Sequence, residues 1–215
     1  MSVQPHGGTE RVTAAWQALA DWLAEHAPVS RASLLPPAGE EDIAAADSLL
    51  TRYAGYGLPV ELVALWRLCG GVEHQYIEEN EEHGEVGSGA FLPDGVLLPP
   101  REAVRPRLPE PGRPDYWNGA RVVPWLTPDE AGPEFGQYAG SGGVGHWSTM
   151  AGPEVSEPRH PSIAAYLEAV HRTLTVGPAG LMGPEVPGIV YGCLVWEDPD
   201  HPGMDEAFEH WAPLH

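Results

Sequence analysis

The chain is 215 residues long, the size of one domain, and carries a formal net charge of -20 from 31 acidic against 11 basic residues. That balance argues against nucleic acid as a direct ligand, because phosphate binding needs clustered cations, and it favours a cationic partner. Every basic residue is an arginine, so P-loop phosphate contacts, Schiff bases and lysine-activated nucleophiles are excluded together, and the usage fits a GC-rich bacterial genome.

In chain order, a flexible start over 1–8 gives way to a run with Val12, Trp16, Leu19 and Leu23 on one stripe, Glu10 in its first turn and Pro28 past its end. This predicts a first amphipathic helix. A second follows from Glu40, Glu41 and Asp42, which suit the positive end of a helix, to the glycines at 55 and 57, with Ile43, Ala46 and Leu50 on its inner face. The third is the stretch "GLPVELVALWRLCGG" at 57–71. Pro59 suits a first helical position, Leu62, Leu65, Trp66 and Cys69 share one face, and Gly70 or Gly71 ends the helix with positive φ.

From Gly71 the texture changes to short apolar runs bounded by Gly, Pro and Asp, which predict antiparallel strands and hairpins. Two connections are longer than structure alone needs: an acidic one over 72–89 and a Pro/Arg-rich one over 100–119. A late helix with Ser162 as N-cap buries Ile163, Tyr166, Leu167, Val170 and Leu174. Beyond Gly177 a C-terminal extension over 177–215 is expected to hold one strand, at 189–196, and an acidic, aromatic tail.

Catalytic motifs are scarce. "GSGGVG" at 140–145 satisfies G-x-G-x-x-G through Gly140, Gly142 and Gly145, but no helix follows it, so a hairpin turn is expected and not a dinucleotide site. Cys69 and Cys193 stand far apart, outside any Cys-x-x-Cys pair, and read as buried thiols of a reducing compartment. His74 with Glu78, Glu79 and His83, and His201 with Asp205, Glu206 and His210, lack the spacing of a tight zinc motif. No metal and no cofactor is expected, and no catalytic residue is nominated. The opening "MSVQPHGGTE" has no apolar signal core and no run of about 18 apolar residues occurs, so a cytoplasmic protein away from the membrane is expected.

The most informative segment is "EENEEHGE" at 78–85, where Glu78, Glu79, Glu81, Glu82 and Glu85 repel one another unless solvent or a positive surface stands near. It reads either as a solvated loop or as an electrostatic docking surface for a basic protein. Tyr76, Trp117, Trp125 and Trp147 are the candidate aromatic anchors, with core burial the competing role of each tryptophan.

The order "PPAGEEDIAAADSLL", "YGLPVELVALWRLCGG", "GAFLPDGVLLPPREA", "VVPWLTPDEAG", "GGVGHWST", "SIAAYLEAV" resembles the SMI1/KNR4 (SUKH) family over residues 12–176. The resemblance makes 9–176 an SMI1/KNR4-like domain. It implies a single α+β domain with N-terminal helices and one late helix packed on a mostly antiparallel, twisted sheet. It also implies a non-enzymatic protein-binding role, commonly that of a bacterial immunity protein whose partner is a cognate toxin, often a nuclease. The alternative from another class is a small-molecule-binding accessory protein or enzyme of a biosynthetic pathway, with a cleft between sheet and tail.

Overall fold

The structure, a computed structural model, describes residues 5–77, 86–93, 95–109, 112, 115–128, 134–177, 185–200 and 210–215. Helix α1 spans Pro5–His26, so helix already occupies part of the 1–8 segment expected to be flexible. The stripe read from the sequence is its inner face: Val12, Trp16, Leu19 and Leu23 are buried. Pro28 does not simply lie past the end. It opens a short helix α2 (Pro28–Ala32), because Ala27 leaves helical geometry (φ -136°, ψ 65°) and a proline is pre-set for a first turn.

Helix α3 (Glu40–Ala54) carries its three acids in the first turn and buries Ile43, Ala46 and Leu50. Helix α4 (Val60–Trp66) is shorter than the 57–71 stretch suggests, with Pro59 as N-cap in extended geometry. Its apolar face is intact nonetheless, since Leu62, Leu65, Trp66 and Cys69 are all buried. The double glycine after it meets two different needs. A Cβ on Gly70 would lie 2.6 Å from Pro36 O, whereas Gly71 has φ +135°; one position serves close backbone approach and the other a conformation that side chains disfavour.

Strands β1 (Tyr76–Ile77) and β2 (Val86–Gly87) form a separate antiparallel ribbon. The main sheet runs β3-β4-β5-β6-β7, with β3 at Val96–Leu97, β4 at Val122–Thr127, β5 at Phe135–Gly140, β6 at Gly143–Ser148 and β7 at Gly152–Pro153. Every pairing in it is antiparallel. Helix α5 (Pro100–Val104) and the 3-10 turn η1 (Arg105–Arg107) follow β3. Helix α6 (Ile163–Val176) starts where predicted, Ser162 Oγ accepting from Ala165 N at 3.0 Å, and lies against α1 and α4. This is the expected α+β arrangement.

The sheet is covered on both faces. Val123, Trp125, Ala139 and Val144 belong to the main core with the helices, while Val122, Tyr138 and Trp147 form a smaller cluster with Trp117 on the other side. The register passes from Pro124↔Tyr138 to Leu126↔Gln137, so one extra residue sits in β4 at Trp125. Such a bulge lets a strand bury residues that strict alternation would turn outward.

Beyond Gly177 the structure differs from the sequence reading. Instead of one strand at 189–196 there are two, β8 (Val186–Val190) and β9 (Cys193–Glu197), and β8 also pairs with β10 (Ala212–Pro213). The chain reverses at Tyr191 (φ 49°) and Gly192 (φ 76°), the paired positive φ values of a tight hairpin turn that an apolar run conceals from pattern reading. The hairpin is also part of the domain. Leu194 and Trp196 join the main core, Leu194 N donates to Ser30 Oγ at 3.0 Å, Val29 N donates to Gly192 O at 3.1 Å, and Trp196 Nε1 donates to Phe91 O at 2.9 Å. Among the described residues no helix is long and apolar enough to cross a membrane.

Because Leu194 is fully buried between α2 and the main core, Leu194→Ala is expected to lower stability by about 2–5 kcal/mol in urea denaturation. A change within about 0.5 kcal/mol, the size expected at a free surface, would contradict this packing.

Candidate functional site

The β1–β2 ribbon flanks the acidic segment in the chain. Tyr76 pairs with Gly87 and Ile77 with Val86, so the two ends of segment 78–85 are held side by side. Glu78, Glu79, Glu81, Glu82 and Glu85 themselves lie outside the described residues. At its other end the ribbon is closed by Gln75 and Ser88: Gln75 N donates to Ser88 Oγ at 3.1 Å and Ser88 N to Gln75 O at 2.8 Å. Ile77 and Val86 pack with Val190 and Cys193 of the C-terminal hairpin. Tyr76 is 61% exposed, its ring edge-on to His74 at 5.1 Å between centroids. Alternation along a two-residue strand accounts for this, one side chain facing the C-terminal hairpin and its neighbour facing water.

The three candidate tryptophans are placed differently. Trp117, Trp125 and Trp147 are only 4%, 0% and 2% exposed, which corrects their assignment as surface anchors. Trp125 packs edge-on to Tyr166 of α6, with centroids 5.4 Å apart, in the main core. Trp117 and Trp147 lie 4.9 Å apart in the outer cluster, and Trp117 Nε1 donates to Pro106 O at 2.9 Å. Both faces of the sheet are covered, so a tryptophan on a strand here is buried whichever way it points.

The Pro/Arg-rich connection brings together residues that the sequence did not single out. Arg107, at the end of η1, stacks over the Trp117 ring at 4.4 Å and lies 5.5 Å from the centre of the Tyr56 ring. Its Nη2 donates to Ala120 O at 2.9 Å, while Tyr56 Oη donates to Val122 O at 2.7 Å. Burial raises the pKa of Tyr56, and the nearby guanidinium opposes that rise without making a geometrically formed hydrogen bond to the phenol. Beside Arg107 a cavity of about 340 Å³ is lined by Tyr53, Asp115, Tyr116 and Trp117 among others. The unusual length of the 100–119 connection was the one signal in the sequence that pointed here.

The glycine-rich run is a hairpin turn at Ser141 and Gly142 between β5 and β6. It borders a second cavity, of about 410 Å³, together with Tyr56, Glu61, Arg121 and Ser162. The start of α6 lies there, yet its amides are already engaged: Ala165 N by Ser162 Oγ, and Ala164 N by Glu61 Oε2 at 3.3 Å. A carboxylate of the chain itself occupies the position that a bound phosphate would take. Of the two histidine and acid groupings, Glu78, Glu79 and His83, and His201, Asp205 and Glu206, lie outside the described residues.

No protein-family model matches the chain, and a search of curated proteins finds no match either.

Neither thiol is placed for nucleophilic work. Cys69 and Cys193 are buried and free, and burial pushes both up to about 11. Cys69 Sγ lies 3.0 Å from Gly71 O, as a donor. In the native protein at neutral pH both thiols are therefore expected to resist a thiol-specific reagent such as Ellman's, and to react once denatured. Between the ordinary value of 9.0 and about 11 the unfolded chain releases thiol protons that the native chain keeps, so stability falls as pH rises through that window. Urea titrations should show the fall, and it should be shallower in the Cys69→Ala/Cys193→Ala variant.

Proposed function

We propose that the chain is a protein-binding module of the SMI1/KNR4 (SUKH) type, a bacterial, cytoplasmic immunity protein that neutralises a basic toxin by occupying its cationic surface. The observation that carries the reading is the β1–β2 ribbon, which holds both ends of a segment with five glutamates beside the exposed Tyr76. Charge of one sign on such a segment speeds encounter with an oppositely charged partner and rejects partners of the same sign. Tyr76 supplies what charge lacks, a rigid aromatic surface that excludes water at the contact. A nuclease is the favoured class of toxin, because its own substrate is a polyanion and its binding surface is accordingly basic. The α+β architecture supports the reading, being the one the family resemblance implies.

The test is co-expression with the product of the adjacent gene, followed by size-exclusion chromatography at low and moderate salt and by measurement of association rates. A complex that weakens with salt is expected. Replacing the five glutamates by glutamine should slow association by at least about tenfold and flatten its salt dependence. Tyr76→Ala should act mainly on dissociation, at a cost above about 1 kcal/mol. Equal association rates and equal salt dependence for the wild type and the five-fold variant would overturn the electrostatic reading.

A further inference from the structure

Among the described residues four arginines meet carboxylates. Arg11 pairs with Glu168, Arg67 with Glu40, Arg101 with Asp42 and Arg105 with Glu102. Arg107 does not: it forms no ion pair among the described residues, and its Nε and Nη1 are buried without a hydrogen-bond partner. The other described arginines without an ion pair, Arg31, Arg52, Arg121, Arg159 and Arg172, are exposed, whereas Arg107 is half-buried. A cation withdrawn from water is costly to leave uncompensated, and the two ring faces that cover it satisfy its charge only in part and none of its in-plane N–H groups.

The surroundings have the composition of a ligand site. A volume of about 340 Å³ lies at the lower end of the range for small-molecule cavities, and its walls combine three aromatic rings, Tyr53, Tyr116 and Trp117, with the polar groups of Arg107 and Asp115. Tyr116 stacks parallel to Trp147, with ring planes 6° apart, so this wall is stiffened from behind. Tyr53, on the opposite element at the end of α3, is 46% exposed. Asp115 also borders the cavity, but its Oδ1 is engaged by Trp117 N at 2.9 Å.

We propose that this cavity binds a small organic carboxylate with a flat apolar body, the carboxylate received by Arg107 and the body lying among Tyr53, Tyr116 and Trp117. The planar guanidinium matches a carboxylate in a way an ammonium does not. Because Nε and Nη1 are covered while Arg107 stacks, binding includes a turn of the guanidinium toward the cavity it lines. That turn alters the environment of Trp117, so binding is visible in tryptophan fluorescence. This site is separate from the β1–β2 ribbon and does not depend on a protein partner.

The experiment titrates the full chain with benzoate, phenylacetate and indole-3-carboxylate, and with benzamide as the neutral counterpart of benzoate, following tryptophan fluorescence and confirming binding by calorimetry. A saturable response to at least one carboxylate and none to benzamide is expected. Arg107→Met should abolish the response and Arg107→Lys should weaken it by about tenfold or more, circular dichroism reporting whether each variant is folded. The comparison of benzoate with benzamide needs only the wild-type chain, so a variant that fails to fold does not remove the test. Absence of a saturable response to all three carboxylates, equal binding of benzamide, or undiminished binding by a folded Arg107 variant would overturn the proposal and leave Arg107 as a structural clamp between η1 and β4. Because no protein partner enters the assay, its failure leaves the reading of the glutamate segment untouched.

Discussion

The seating of the β8–β9 hairpin is the constraint on which the rest depends. Its turn sits against α2, where Val29 N reaches Gly192 O and Ser30 Oγ receives Leu194 N. Its far end meets the loop before β3 through Trp196 Nε1 and Phe91 O. Ser30 is fully buried, so the bond to Leu194 is made where water cannot replace it. From that position the hairpin offers Val190 and Cys193 to Ile77 and Val86, and so supports the ribbon that frames the acidic segment. A two-stranded ribbon of this length is not stable alone in water. The surface proposed for binding is therefore held up by residues near the other end of the chain.

Electrostatics and packing divide the work. The ion pairs Arg11–Glu168 and Arg67–Glu40 are two-point contacts with good geometry, but they lie at the surface, where solvent screens them and side-chain ordering offsets most of the attraction. With a net charge of -20 the compact state also bears self-repulsion. Stability therefore rests on the buried apolar set, in which α1, α4 and α6 meet the inner face of the sheet around Trp66, Trp125 and Tyr166. Individual carboxylates still serve the fold locally, Glu61 accepting from Ala164 N and Asp115 from Trp117 N.

The candidate site was legible in part. The glutamates of 78–85 stand out in the linear sequence because five like charges within eight residues repel one another. Tyr76 was singled out by its proximity to them, and the structure leaves its side chain exposed. The tryptophans were not legible, because a large aromatic side chain serves a core and an interface equally well, and only the presence of a second layer over the outer face of the sheet decides between them. Arg107 was illegible for another reason. Trp117 belongs to the same long connection, but Tyr56 comes from a distant part of the chain, and nothing local marks an arginine that is covered by two rings and lacks a carboxylate.

What the sequence determined by itself are the elements with a strong period or clear punctuation: the stripes of α1, α3, α4 and α6, the Ser162 cap, the turn within the glycine-rich run and the α+β class. These follow from interactions between residues a few positions apart, which a linear reading can see. What the tertiary structure decided are the bulge at Trp125, the reversal at Tyr191 and Gly192, the division of the helical stretch at Ala27, and the closeness of α2 to β9. Each depends on a surface supplied from elsewhere in the chain. Burial and register are properties of pairs of elements, so they take a value only once both partners are in place.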